Sequence, residues 1–182
     1  MLLRQRSRRV VTLPGDPVNA ASPVPEMLDV TGGKGLYKLG YVTADVDKSV
    51  AEMSERYGMD FIRFDPGSAA WDASGRREET SFRCAFSRGR NLLIELMQPV
   101  AGLVAPFKER VIEGSIVFHH IGVLVDDLEA VKARLPEPPV LESKDEKMAV
   151  TYSWLPLLEH YVEHVQFFGD GDRWLRSVMA GE

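Results

Sequence analysis

A long internal repeat constrains this chain more than any other feature. The segment Phe118-His119-His120-Ile121-Gly122-Val123-Leu124-Val125-Asp126-Asp127-Leu128 reads as a short strand, a turn and the start of a helix. A weaker copy, Leu36-Tyr37-Lys38-Leu39-Gly40-Tyr41-Val42-Thr43-Ala44-Asp45-Val46, lies 118 − 36 = 82 residues earlier. Aligning the two sets Lys38 on His120, Gly40 on Gly122, Asp45 on Asp127 and Val46 on Leu128. A period of this length means two similar supersecondary modules in one chain.

Each module reads as β-α-β-β-β. In the first, residues 36–43 are β-rich. Asp45 or Asp47 then caps a helix with Val46, Val50, Met53 and Tyr57 on one face, closed by Gly58. A strand over 61–64 stops at Asp65-Pro66-Gly67, a turn signal. Residues 67–79, with Trp71, read as a polar loop. Alternation over 82–86, a hairpin turn at Arg88-Gly89-Arg90-Asn91 and an apolar run over 92–97 complete the module. A crossover over 98–114 carries a short helix near 106–112. The second module opens at Val117, with a helix over 127–135 stopped by Pro136-Glu137-Pro138-Pro139 and strands over 140–142, 149–154 and 161–167.

The flanks differ from the modules. Residues 1–33 carry Arg4, Arg6, Arg8 and Arg9 and then five breakers, Pro14, Gly15, Pro17, Pro23 and Pro25, which suits an arm or linker. The tail, 170–182, has Trp174, Leu175, Val178 and Met179 at helical spacing and is expected to dock by that face. The expected organisation is therefore an arm (1–33), a two-module domain (34–169, modules 34–100 and 116–169) and a tail (170–182). A net charge of −5 argues against nucleic acid as the main partner. No apolar run reaches the roughly 18 residues of a membrane span. The single cysteine, Cys84, leaves no internal disulfide framework and fits a reducing cytoplasm.

Two acids interrupt apolar strands at matching places: Glu95 in Leu92-Leu93-Ile94-Glu95-Leu96-Met97, and Glu163 in Tyr161-Val162-Glu163-His164-Val165. A buried carboxylate is costly unless a cation, a metal or several donors compensate it. The plain alternative is a pair of solvent-facing glutamates on half-exposed antiparallel strands. His120, in the first strand of module two, adds an imidazole, and one His with two carboxylates suits a divalent first-row ion. Strand alternation turns His119 to the opposite face and gives it a structural role. His164 likewise changes face, while His160 lies at a strand entrance, where it could line a pocket mouth.

These motifs resemble the vicinal oxygen chelate superfamily, which includes glyoxalases, methylmalonyl-CoA epimerases, extradiol dioxygenases and bleomycin-resistance proteins. The likeness rests on His120-Ile121-Gly122-Val123-Leu124-Val125-Asp126-Asp127-Leu128, on Ile94-Glu95-Leu96-Met97-Gln98-Pro99 and on Tyr161-Val162-Glu163, and spans about residues 34–169. It implies an α+β fold in which paired βαβββ modules form a U-shaped mixed sheet around a cleft, with helices outside. It also implies a protein acting on a small molecule, and with the arm at 1–33 it leads to the expectation of a homodimer. Charge, hydropathy and the lone cysteine already set the expectation of a cytoplasmic chain with no nucleic-acid or membrane partner. Carried over residue by residue, it makes Glu95, His120 and Glu163 ligands of a divalent metal (Zn, Ni, Co, Mn or Fe). The fourth position, usually His or Gln, holds Lys38; a register one residue different would place Tyr37 there.

Two functions follow from the resemblance. In one, a glyoxalase- or epimerase-like lyase or isomerase acts on a small carbonyl-containing substrate by metal-assisted proton transfer. Glu163 or Glu95 moves the proton, Lys38 stabilises an enolate oxygen, and Tyr161, Trp154, Met97 and Phe86 wall the pocket. In the other, a metal-free binding protein of the bleomycin-resistance type uses Lys38 in place of the metal's charge. An extradiol dioxygenase is disfavoured, because that chemistry prefers two His and one carboxylate.

Overall fold

The computed structural model describes residues 35–87, 92–156 and 158–180. The proposed arm at 1–33 and the turn at 88–91 lie outside them. Nine strands and four helices alternate: β1 (Gly35–Thr43), α1 (Val46–Tyr57), β2 (Phe61–Phe64), β3 (Gly67–Asp72), β4 (Arg77–Ser87), β5 (Leu93–Ala101), α2 (Ala105–Lys108), β6 (Ile116–Leu124), α3 (Leu128–Lys132), β7 (Leu141–Lys144), β8 (Met148–Leu155), β9 (His160–Phe167) and α4 (Asp170–Ala180).

The repeat governs how the two modules meet. β1 and β6 pair antiparallel, and each is flanked by a parallel neighbour, β5 or β9. Leu39 pairs with Ile121, its own counterpart in the repeat, so a pseudo-two-fold axis passes through that pair. The register slips once on each side of it, between Leu36 and Lys38 and between Gly40 and Tyr41. The residues left without a partner are Tyr37 and His119, again repeat counterparts. Each bulge turns two consecutive side chains into the same space, where strict alternation would send one outward.

The helix starts repeat as well. Asp45 Oδ1 accepts from Lys48 N at 3.0 Å, and Asp127 Oδ1 accepts from Ala130 N at 2.9 Å, each capping its helix. The Gln98 and Gln166 side-chain oxygens accept from Val46 N and Leu128 N. Gly58 ends α1 in the left-handed conformation, with its N–H donating to Ser54 O.

Residues 67–79, expected as a loop, contain β3 and the start of β4. β2 and β3 hold one register against β4, with Phe64 opposite Cys84 and Gly67 opposite Ser81. They form a single strand nicked at Asp65–Pro66, where proline cannot donate to a ladder. Its polar composition hid it, because much of this hairpin faces solvent. β3 then pairs with β7, Ala70 opposite Ser143 and Asp72 opposite Leu141, which joins the two rims of the expected U into a barrel-like cup.

Two helices lie outside the cup. α1 covers a cluster with Val46, Ala85 and Leu96, and Leu128 of α3 joins Val123, Ala149, Leu155 and Val162. The other two pack inward: Phe107 of α2 and Leu175 and Val178 of α4 belong to the interior cluster with Tyr37, Phe86, Met97, Tyr152 and Val165. The tail thus docks by the face its spacing indicated. No helix among the described residues is long and apolar enough to cross a membrane.

Candidate functional site

The cup encloses a cleft with a cavity volume of about 100 Å³. Phe64, Phe82, Phe86, Met97, Phe107 and Trp174 give it mostly apolar walls, and Lys38, Glu95, Glu163, Tyr37 and Tyr152 supply its charged and phenolic floor. The four residues that the sequence singled out meet here from four strands: Lys38 on β1, Glu95 on β5, His120 on β6 and Glu163 on β9. Their exposures are 3%, 3%, 0% and 3%, so none is a solvent-facing strand residue.

The ammonium of Lys38 lies between the two acids. Nζ stands 2.7 Å from Glu95 Oε2 and 2.8 Å from Glu163 Oε2, and it donates to Glu163 Oε1 at 3.0 Å. Two tyrosines complete the shell of Glu163. Tyr152 donates to its Oε1 at 2.5 Å, and Tyr37 donates to its Oε2 at 3.3 Å. His120 Nε2 approaches Glu95 Oε2 at 3.2 Å and Glu163 Oε2 at 3.9 Å.

Charge and burial set the protonation of this hub. Burial alone would strip the proton from Lys38, but Glu163 and then Glu95 outweigh it and hold its pKa well above the ordinary lysine value. Burial pushes Glu95 up, yet Lys38 and then His120 bring it down to about 2. Burial, with Glu163 second, raises both Tyr37 and Tyr152, so both keep their hydrogens.

Gly40 and Gly122 make the convergence possible. A Cβ at position 40 would meet the His120 ring at 1.9 Å, and one at 122 would meet Lys38 Cγ at 2.3 Å. Each glycine leaves room for the opposite module's hub residue to cross its backbone.

Glu95, His120 and Glu163 can each offer a ligand atom, all within 4.8 Å of one another, which is a set able to hold a metal ion. The fourth position decides the fit. Lysine lacks a lone pair while protonated, and Lys38 sits within ion-pairing distance of both carboxylates with its proton firmly held. With that ammonium in place the donor set does not fit a divalent ion, which would have to displace it.

The other expected site residues fall in two places. Met97 and Phe86 line the cleft, whereas Trp154 and Tyr161 do not. Tyr161 stacks on His119 at 4.7 Å, and Trp154 tilts against Tyr161 at 4.8 Å, in a column that continues to Phe107. His160 packs edge-on against Phe118, and it too is absent from the cleft lining. His119 is not turned away as alternation predicts. The bulge brings it beside His120, with the two Nδ1 atoms 3.1 Å apart. Sequence reasoning treated Tyr37 only as a substitute for Lys38 and missed Tyr152. The bulge admits both Tyr37 and Lys38, and the pairing of Tyr152 with Glu163 across β8 and β9 places the second phenol.

Two modules related by a pseudo-two-fold axis, with hub residues drawn from the first and last strand of each, define the vicinal oxygen chelate fold, and this chain has it. No family model and no curated protein sequence matches the chain. Among solved structures, the fold is similar to methylmalonyl-CoA epimerase from Mycobacterium tuberculosis at 16% identity and a TM-score of 0.52, covering 78% of this chain and 93% of that one. Methylmalonyl-CoA epimerase in complex with methylmalonyl-CoA and NH4+ matches at 16% identity and a TM-score of 0.49, covering 72% and 92%. A 4-hydroxymandelate synthase mutant from Streptomyces coelicolor matches at 17% and 0.41, covering 74% of this chain and 49% of that one.

Proposed function

We propose that this protein binds a small, mainly apolar, carbonyl-containing molecule in its cleft without a metal, with the Lys38 ammonium supplying the positive charge between Glu95 and Glu163. The observation that carries this reading is the position of Lys38 Nζ, 2.7 Å from one carboxylate and 2.8 Å from the other. A ligand carbonyl reaching the floor would meet a fixed cation and the Tyr37 and Tyr152 hydroxyls, while the apolar walls hold its body. Glu95, held near 2, is a poor base at neutral pH, which weighs against that residue as the proton-moving group of an isomerase or lyase.

The test is ligand binding by protein kept in EDTA, followed through Trp174 at the cleft wall with a panel of apolar aldehydes, ketones and thioesters. Saturable binding that EDTA leaves unchanged, and that Trp174→Phe makes optically silent, is the expected result. Binding that requires an added divalent ion overturns the reading.

One observation favours the metal-assisted isomerase or lyase instead. His120 Nε2 is buried without a hydrogen-bond partner among the described residues, and it belongs to the three-residue set above. That reading expects deuterium exchange at the carbon beside a substrate carbonyl, lost in Glu163→Gln.

A further inference from the structure

The cleft is closed on one side by the tail of its own chain. Trp174 of α4 lines it and is 39% exposed, so this side chain stands where the cleft meets solvent. Its ring packs against two cleft walls, Phe64 at 6.2 Å and Phe86 at 5.8 Å between centroids. Beside it, Leu175 and Val178 are buried in the interior cluster that holds Tyr37, Phe86 and Met97, three cleft-lining residues, and Met179 packs against that cluster. The cavity left over is about 100 Å³. Sites that enclose a small organic molecule take about 300–1,000 Å³. The apolar side chains of α4 therefore occupy room that such a molecule would need.

We infer that α4 is a displaceable, autoinhibitory plug: hinged at Gly169, it seats its apolar face in the cleft mouth and gives way to an apolar ligand. The attachment of the helix suits this role. Gly169 has a φ of +48°, with open space where a Cβ would stand. On either side of it the chain is pinned to one carbonyl. Phe168 N donates to Lys147 O at 2.7 Å, and a Cβ at Gly171 would stand 2.4 Å from that same oxygen. Further along, Arg173 pairs with Asp170, Arg176 pairs with Asp172 at 2.8 Å, and Ser177 Oγ donates to Trp174 O at 3.0 Å. These contacts run along the helix, so they support it as a helix whether or not it is seated.

The seating itself is apolar, and apolar burial is non-directional. A ligand that covers Phe64, Phe86 and Met97 can replace Trp174, Leu175 and Val178 there. Ligand binding and helix release are then linked, and the affinity of any ligand is lowered by the fraction of molecules in which α4 is seated. The inference rests on the reading of the cleft as a ligand site, but not on what the ligand meets at the floor.

The test uses the full chain and N-phenyl-1-naphthylamine, a neutral apolar probe with no carbonyl, so the carbonyl panel can fail without touching this result. Hydrogen exchange read by mass spectrometry compares α4 with β8 and β9. In the native protein, saturating probe should speed exchange in 170–180 and leave β8 and β9 protected. Unchanged or slower exchange in 170–180 with probe bound would make α4 a fixed wall and overturn the inference. Leu175→Asp puts a charge on the seated face. It should speed exchange in α4 alone and tighten probe binding about tenfold or more, the scale set by the burial of one such side chain. Val178→Ala, a milder loss of seating, should move both readings the same way by less. Probe binding that is unchanged, weaker or absent in both variants, or protection lost from β8 and β9 together with α4, overturns it.

Discussion

The imidazole of His120 crosses the backbone of Gly40 so closely that a Cβ at position 40 would stand 1.9 Å from His120 Cε1. The mirror relationship holds between Gly122 and Lys38. The two glycines shared by the repeat are thus clearance for the hub. Gly40→Ala should cost about 1–3 kcal/mol, the usual range for overpacking a full interior, read as a lowered urea midpoint. A Gly40→Ala protein as stable as the native one would mean that His120 does not occupy that space.

Lys38 stabilises by compensating two buried acids. Lys38→Met leaves both without their cation, and breaking a buried ion pair from one side costs about 3–5 kcal/mol. Adding Glu163→Gln removes one uncompensated charge and should recover part of the loss. Equilibrium unfolding of the single and double variants checks this. A Lys38→Met loss below about 1 kcal/mol, the scale of a surface pair, would show that the hub is wetter than described.

Acid should destabilise the fold in two stages. His119 is depressed from 6.5 to about 3, so below pH 6.5 the unfolded chain takes up a proton that the fold refuses, and stability falls between those values. Glu95 is depressed from 4.5 to about 2; its contribution is complete above 4.5 and lost as the pH falls toward 2. Lys38 is raised above 10.5, so its contribution persists below that value and is lost only as the pH rises through its higher folded pKa. Urea midpoints measured against pH should fall below 6.5 and more steeply below 4.5. Glu95→Gln should flatten the lower stage, and a midpoint that rises from pH 6.5 to 4 would contradict this assignment.

Replacing the ammonium with an imidazole should change what the hub binds. In Lys38→His the repulsive cation is gone and a fourth donor joins Glu95, His120 and Glu163. Isothermal titration with Co(II) should show one saturable site in the variant at concentrations where the native protein shows none. Equal binding by both would mean that Lys38 does not guard the position.

Much of this arrangement was legible in the sequence, because the repeat at 82 residues fixed which residues are equivalent. Asp45 and Asp127 and the paired glycines occupy the places the alignment assigned, and the two acids in apolar strands occupy matching places in the last strand of each module. Three things were not legible. β3 is polar because much of its hairpin meets solvent, so composition alone reads it as loop. The bulges at Tyr37 and His119 break the two-residue period that placed His119 on the wrong face, and only the β1–β6 register reveals them. Trp154 and Tyr161 resembled pocket walls because an aromatic strand residue looks the same whether it lines a cleft or, as here, joins an aromatic stack, Tyr161 on His119 and Trp154 on Tyr161.

The central claim, that Lys38 holds the place of a metal ion, is tested most directly by elemental analysis of protein grown with Zn, Ni, Co, Mn and Fe and purified without chelators. Far less than one equivalent of any of these per chain is the predicted result. One equivalent of a single ion, retained by the native protein and lost in Glu163→Gln, would contradict it.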